Sequence, residues 1–180
     1  KAGPDLNYSF TGSPFGGGSF RFPTYSALMT ETDGAGQRRG YLATEDNFRA
    51  VADMERRNAI VPVTGDFAGP KALRSVGKYL KEHDATVTAV YTSNVEQSLF
   101  QSDTNWKKYY ANVATLPIDE KSTFIRSVSN RGMFQNGPVG FGGGAFGPRA
   151  QTRLCPVAEL LRAFGRGQIT SYADVIAMSE

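Results

Sequence analysis

The feature that most constrains the fold is the alternation of helical and strand patterns through the middle of the chain. A helix is predicted from Thr44, a residue that caps helix N-termini well, to about Asn58. Apolar or β-branched runs typical of strands follow at residues 59–64, 86–91 and 123–128, with helical spacings between them. Such alternation predicts parallel strands joined by right-handed crossovers, with helices on both faces of the sheet.

The remaining helices are predicted from proline, capping residues and apolar spacing. Pro70 suits a first helical position and opens a helix that ends near His83. Ser171 and Asp174 predict a capped last helix. The strongest pattern puts apolar residues at i, i+3, i+4 and i+7, which we interpret as a buried face. It occurs at Trp106, Tyr109, Tyr110 and Val113, and again at Val157, Leu160, Leu161 and Phe164.

The number of predicted strands is small for an open α/β sheet. We therefore predict a partial, mostly parallel sheet whose N-terminal half is missing and would precede Lys1. The chain is interpreted as a single incomplete domain. Its parts are an irregular Gly/Pro-rich entry segment (1–40), an α/β core (41–128), a Gly-rich loop (129–150) and C-terminal helices (151–180).

Composition narrows the classes of site and partner. The single cysteine, Cys155, and the single histidine, His83, argue against an intrachain disulfide and against Cys- or His-rich metal sites, so no metal site is predicted. No eighteen-residue apolar run is present, so we expect no membrane partner. The sparse cysteine fits a reduced, cytoplasmic setting. The net charge of +3 does not favour nucleic acid as a partner.

Two glycine-rich segments share one pattern, Phe15–Phe20 and Phe141–Phe146. Neither follows a predicted strand and opens a helix, as a phosphate-binding glycine loop does. We interpret them as flexible connections, with lids over a ligand as the alternative.

Several longer segments carry a family resemblance: Thr24–Met29, Tyr41–Phe48, Ile60–Arg74, Tyr91–Gln97, Phe124–Ser127 and Asp174–Ser179. Together they resemble a bacterial family related to class I S-adenosylmethionine-dependent methyltransferases. The resemblance implies an open Rossmann-like sheet of the methyltransferase type, with the cofactor's glycine loop upstream of this chain. It also implies that the chain is the C-terminal, substrate-side half of such an enzyme, with an unidentified small-molecule or macromolecular methyl acceptor. S-adenosylmethionine is then expected to bind the full-length protein and not this chain alone.

The candidate site follows from the rule that open α/β sheets bind ligands at the carboxyl ends of their strands. Two polar segments follow predicted strands. The first, Gly65–Phe67, follows the strand 59–64, and the second, Thr92–Glu96, follows the strand 86–91. We therefore expect both segments at one edge of the sheet. The resemblance puts the first segment beside the transferring methyl group. The predicted catalytic residues are Asp66 and Asn94, and the predicted cofactor-binding residues are Gly65, Phe67 and Ser93.

Structural alternatives stand beside each of these roles. Asp66 would orient or deprotonate the acceptor, or it would only stabilise the turn into the next helix. Ser93 and Glu96 form the Ser-x-x-Glu pattern of a capping box, which leaves Asn94 without a structural task. The alternative function is a non-catalytic Rossmann-like module that binds a small molecule or a protein. An unpaired strand at 59–64 would also favour self-association.

Overall fold

Residues 24–33, 35–129 and 150–180 are described by a computed structural model, apart from the side chains of Leu28, Ser129 and Ala150. They divide between Pro62 and Val63 into two units. No helix within these ranges combines the length and the apolar character that crossing a bilayer requires.

The described residues of the first unit form two helices, α1 (Tyr25–Thr30) and α2 (Glu45–Arg56). The sequence predicted an irregular segment over 1–40, so α1 is a correction. The Thr44 hydroxyl accepts a hydrogen bond from the Asn47 amide at 3.1 Å, which confirms the predicted cap. Glu45 and Asp46 occupy the first turn of α2, where the helix dipole favours acidic side chains. None of the residues of α2 is buried, so within this unit its apolar face remains accessible.

The predicted strand at residues 59–64 is wrong. This segment forms neither a strand nor a helix, and Ile60, Val61 and Val63 are exposed. The apolar run alone did not specify a partner strand, and Pro62 has no N–H to donate to one. The predicted parallel pairing with residues 86–91 is therefore absent. The proposed self-association through a 59–64 strand edge loses its basis.

The second unit begins with α3 (Ala72–Glu82), two residues later than the predicted start at Pro70. Three strands and further helices follow in the described residues. Their bounds are β1 (Val87–Ser93), α4 (Val95–Leu99), α5 (Asn105–Val113), β2 (Ile118–Ser129), β3 (Ala150–Pro156), α6 (Val157–Gly165) and α7 (Tyr172–Ala177). The strands predicted at 86–91 and 123–128 correspond to β1 and to the second half of β2.

The sheet of the second unit is small and mixed, which corrects the predicted Rossmann-like, mostly parallel sheet. Its order is β1–β2–β3 among the described strands. β1 and β2 are parallel, joined through α4 and α5. β2 and β3 are antiparallel, with Phe124 opposite Cys155 and Ile125 opposite Leu154. Residues 151–156 belong to β3 and not to the C-terminal helices predicted over 151–180, which is a further correction.

The helices of this unit do not cover both faces of the sheet, which is a second correction. Phe124, Arg126 and Cys155 point to a face that is closed to solvent. The alternate residues point the other way, and on that face Tyr91 and Leu154 are 68% and 47% exposed. Ile125 lies between them in the same cross-strand row. Among the described residues, the helices therefore cover one face of the sheet, and Tyr91 and Leu154 are exposed on the other.

The core lies on the covered face. The aromatic stripe predicted on α5 is buried there, together with Leu160 and Ala163 of α6 and Val175 of α7. α3 packs on α5, and Gly77 approaches the Thr115 carbonyl so closely that a Cβ at Gly77 would lie 2.9 Å from that oxygen. The predicted capping box at Ser171 and Asp174 is present and begins α7.

Candidate functional site

The carboxyl end of β1 departs from regular strand geometry. Tyr91 lies opposite Ile125 but Ser93 lies opposite Arg126, so β1 has one extra residue at Thr92 and forms a bulge. Ser93 has a φ of 49°, in the left-handed region that a side chain with a Cβ seldom adopts. Asn94 follows as the exposed N-cap of α4. The bulge thus turns the chain sharply where β1 ends, beside Arg126 of the parallel β2.

A buried ion pair holds this turn from beneath. The Arg126 guanidinium on β2 donates to the Glu96 carboxylate on α4 through Nε at 2.5 Å and through Nη2 at 3.0 Å. Both side chains are almost completely removed from solvent. Burial alone would lower the pKa of Arg126, but the hydrogen bonds and the charge of Glu96 outweigh it and raise the pKa. The guanidinium therefore stays charged and paired.

Hydrogen bonds satisfy the rest of this polar cluster. The Tyr110 hydroxyl donates to Glu96 Oε1 at 2.8 Å, and the Thr92 hydroxyl donates to Glu96 Oε2 at 3.2 Å. Arg126 Nη1 donates to the Ser179 hydroxyl at 3.3 Å, which ties the C-terminal segment to β2. Four acceptor contacts on one carboxylate make Glu96 the centre of the cluster.

The capping box predicted for Ser93 and Glu96 is wrong. Asn94, and not Ser93, is the N-cap residue of α4, and no side chain caps this helix. The Glu96 side chain turns into the core, where Arg126 offers a charged partner. One signal for this pair was present in the sequence. Arg126 shares a strand face with Phe124, so an alternating apolar pattern carried a charge on its buried side.

The turn at Gly65–Phe67 is also fixed by a buried polar side chain. The Asn112 amide on α5 donates to the carbonyls of Phe67 at 3.0 Å and Gly69 at 2.8 Å. The Arg74 Nε donates to the Asn112 carbonyl oxygen at 2.8 Å, which fixes the orientation of that amide. Gly65 passes so close to Ala72 that a Cβ at Gly65 would collide with it. This turn is therefore held against α5 and α3.

Asp66 itself is exposed, and one of its carboxylate oxygens has a structural partner. Oδ1 accepts a hydrogen bond from the Ala68 amide at 2.9 Å, and the Gly69 amide donates to the Asp66 carbonyl at 3.0 Å. Within the described chain no hydrogen bond is made by Oδ2. The turn-stabilising role considered for Asp66 therefore uses one oxygen and leaves the other free for chemistry.

The two predicted segments lie against the same helix. The Phe67 ring meets the Tyr109 ring edge-on, with centroids 6.1 Å apart, and the next residue of α5, Tyr110, binds Glu96. No hydrogen bond joins Asp66 to Asn94 in the part of the chain that the structure describes. Their direct proximity stays a prediction, whereas the attachment of both segments to α5 is a finding.

His83 and Cys155 are the remaining side chains whose chemistry could serve a site, and each lies in a structural environment. A ring nitrogen of His83 lies 2.8 Å from the Tyr79 carbonyl, one turn earlier in the same helical segment. Cys155 is buried in β3, and burial raises the pKa of its thiol. The described residues contain no group of three or more side chains able to hold a metal ion.

The first unit carries a separate, open depression of about 370 Å³. Its basic side chains include Arg39, which is paired with Asp33 at 3.0 Å. The lining residues are Arg38, Arg39, Tyr41, Asn47, Ala50 and Val51. This depression is wide and shallow, so it offers less enclosure than a small-molecule site normally does.

Comparison with known families adds one finding. Residues 20–142 match the model of a family described as a domain of unknown function, DUF7790. The matched range contains both predicted segments and both members of the buried ion pair. No curated protein matches the chain.

Proposed function

This chain belongs to the DUF7790 family, and we propose that it forms the acceptor side of an S-adenosylmethionine-dependent methyltransferase. One observation carries the proposal. Each of two exposed segments is held from beneath by a buried polar side chain, Asn112 under Gly65–Gly69 and Glu96 under the β1–α4 turn. The side chains that would act on a ligand, Asp66 and Asn94, are left exposed.

A domain without a binding or catalytic site has no need of a buried ion pair such as Glu96–Arg126. Apolar residues of similar volume are often as stabilising as a buried ion pair, or more so. Buried polar groups that orient exposed ones are, in contrast, what a binding or catalytic site requires. The bulge at Thr92 and the strained backbone at Ser93 lie at the same point, and such features concentrate at functional sites.

The exposed groups of the first turn fit the reactive end of the cofactor. A sulfonium is a cation, and Asp66 and Phe67 offer a carboxylate and an aromatic face, both of which attract cations. Gly65 and Ser93 would lie along the cofactor, as the resemblance implies. When bound, S-adenosylmethionine supplies an electrophilic methyl group.

The acceptor would be handled by the two predicted catalytic residues. The free Oδ2 of Asp66 can accept a hydrogen bond from the nucleophilic N–H or O–H of the acceptor and take its proton as the nucleophile reacts. Asn94 offers both a donor and an acceptor, which suits orientation of a polar group. The acceptor itself is a small molecule or a macromolecule bearing such a nucleophile.

Calorimetry with S-adenosylmethionine tests this proposal. We expect the full-length protein to bind it with micromolar affinity, and the chain of residues 1–180 alone to bind it far more weakly. Asp66→Ala in the full-length protein should abolish methyl transfer. Failure of the full-length protein to bind S-adenosylmethionine would contradict the proposal.

A second candidate, a protein-binding module, is favoured by the open face of the sheet. Tyr91, Ile125 and Leu154 form one apolar row across the three strands of this face. Exposed apolar patches of this kind mark interaction sites, and a second copy of the chain is the occupant we propose. Sedimentation should then show a dimer that Leu154→Lys converts to a monomer. A concentration-independent monomer in the unmodified chain would exclude it.

A further inference from the structure

Arg74 on α3 is an exposed arginine that a buried side chain holds in place. Its Nε donates to the Asn112 carbonyl oxygen at 2.8 Å, and Asn112 itself is only 2% exposed. The amide nitrogen of Asn112 donates in turn to the carbonyls of Phe67 and Gly69. Asn112 therefore links Arg74 directly to the turn that carries Asp66. Within the described chain, the two terminal nitrogens of Arg74 make no hydrogen bond.

The charge of Arg74 is not neutralised by a carboxylate in the part of the chain that the structure describes. The buried Arg126 is neutralised by Glu96, and surface arginines of α2 and α6 also pair with acids. No such ion pair joins Arg74 to an acidic residue among the described ones, Asp66 of the adjacent turn included. Arg74 thus combines a fixed Nε with a charge that remains available to a ligand.

A second cation, Lys71, lies one helical turn before Arg74 and is also exposed. The first turn of α3 contains no acidic residue, whereas the first turns of α2, α6 and α7 do. The helix dipole favours acids at this end and disfavours cations. Helix stability therefore does not explain this pair of basic residues, and recognition of an anion does.

We propose that Arg74 binds an oxyanion, a carboxylate or a phosphate, of the ligand that the Gly65–Phe67 turn recognises. The terminal nitrogens of a guanidinium present parallel N–H groups that match two oxygens of such a group. Because Asn112 already fixes Nε, binding orders the side chain less and costs less entropy. Lys71 adds a second positive charge to the site.

The inference rests on the proposed function and names its ligand class. The oxyanion belongs either to the methyl acceptor or to the carboxylate in the methionine portion of the cofactor, which share this chemistry.

Phosphate titration of the full-length protein, followed by NMR, tests the site. Inorganic phosphate should shift the Nε–H resonance of Arg74 in a saturable way, and Arg74→Gln should weaken phosphate binding about fivefold. Arg166→Gln is the matched control, because Arg166 is equally exposed and pairs with no carboxylate among the described residues. Shifts of Arg74 that do not saturate, or equal weakening in the two variants, would overturn the inference.

Arg74→Lys tests the fork of donors and replaces the first variant if Arg74→Gln does not fold. Lysine keeps the charge but cannot present two parallel N–H groups to one oxyanion. We therefore expect weaker phosphate binding in Arg74→Lys than in the unmodified protein. Phosphate affinity unchanged by Arg74→Lys would overturn the inference.

S-adenosylhomocysteine separates the two sources of the oxyanion, because it contains the cofactor's carboxylate and no acceptor. If that carboxylate occupies the site, S-adenosylhomocysteine should displace phosphate from Arg74, and Arg74→Gln should weaken its binding about fivefold. If the acceptor's group occupies the site, phosphate and S-adenosylhomocysteine should bind together, and Arg74→Gln should raise the KM for the acceptor.

Failure of this inference is distinguishable from failure of the proposed function. Phosphate binding that depends on Arg74, in a full-length protein that does not bind S-adenosylmethionine, would keep the anion site and reject the methyltransferase. Methyl transfer whose KM for the acceptor and whose affinity for S-adenosylhomocysteine are both unchanged in Arg74→Gln would keep the enzyme and reject the anion site.

Discussion

Glu96 on α4 and Arg126 on β2 form a two-point ion pair that solvent does not reach, although thirty positions separate them in the sequence. This pair joins the helix that follows β1 to the strand beside β1. It therefore fixes the turn that presents Ser93 and Asn94 at the carboxyl end of β1. The geometry of the β1–α4 turn depends on this pair more than on any exposed residue.

Removing one member of the pair should be far more damaging than removing both. Arg126→Met leaves the Glu96 carboxylate buried without its cation, at a cost of about 3–5 kcal/mol in the free energy of unfolding. Glu96→Leu combined with Arg126→Met should cost much less than the sum of the two single variants. Urea denaturation of the four proteins in this cycle measures the difference. Additive effects would mean that the pair does not act as a unit.

A glycine in α3 gives a test of how α3 packs on α5. Alanine normally stabilises a helix interior relative to glycine by about 0.5–1 kcal/mol. At Gly77, however, the added Cβ would meet the Thr115 carbonyl at 2.9 Å, so Gly77→Ala should destabilise by about 1–3 kcal/mol. Gly165→Ala is the matched control, because nothing lies within 4 Å of its Cβ position. A stabilised Gly77→Ala variant would contradict the close approach.

Acid should weaken the cap of α7. Backbone and side-chain hydrogen bonds from Thr170 and Ser171 lower the pKa of Asp174 from 3.8 to about 2 in the folded protein. Because the folded pKa is the lower one, this contribution to stability is present above about pH 4 and is lost as the pH falls to about 2. Asp174→Asn should show a shallower loss of stability over that range. Identical pH profiles for the two proteins would contradict the shifted pKa.

Two substitutions separate the structural from the chemical role of Asp66. Asp66→Asn keeps the Oδ1 acceptor for the Ala68 amide but loses the charge, whereas Asp66→Ala loses both. If the carboxylate acts on the acceptor, both variants of the full-length protein should lose methyl transfer, while Asp66→Asn keeps its thermal stability. Methyl transfer retained by Asp66→Asn would reduce Asp66 to a turn-stabilising residue.

Local patterns predicted most helices of this protein but not α1, which lies in the segment 1–40 predicted to be irregular. Among the strands they predicted the parallel neighbours β1 and β2, but they also predicted a strand at 59–64 that is absent and missed β3. The Thr44 cap, the aromatic stripe from Trp106 and the box at Ser171 rest on contacts within about one or two turns, which a sequence states directly. The apolar run at 59–64 resembled a strand, but pairing depends on distant residues. β3 was missed for the same reason, since its pairing with β2 spans a long connection.

In the candidate site, too, local patterns were readable from the sequence and contacts between distant residues were not. Its exposed segments were chosen because they follow apolar runs and contain turn residues, and their role as a site stays a prediction. The buried residues that hold them could not, because Asn112 lies more than forty positions from the turn it binds. The role of Glu96 was misinterpreted because Ser93 and Glu96 match the sequence pattern of a capping box. Its actual partner, Arg126, lies on β2, thirty positions later. Local rules describe what a residue can do, and packing decides which option it takes.

Photochemical labelling tests the central claim, that the exposed segments at Gly65–Phe67 and Ser93–Asn94 form one site for the cofactor's methyl group and its acceptor. Full-length protein would be irradiated with S-adenosylmethionine carrying tritium in that methyl group, then digested and sequenced. We predict label in peptides containing Asp66 and Phe67 or Ser93 and Asn94, reduced by excess S-adenosylhomocysteine. Label confined to the depression around Arg38 and Tyr41, or no label competed by S-adenosylhomocysteine, would contradict the account.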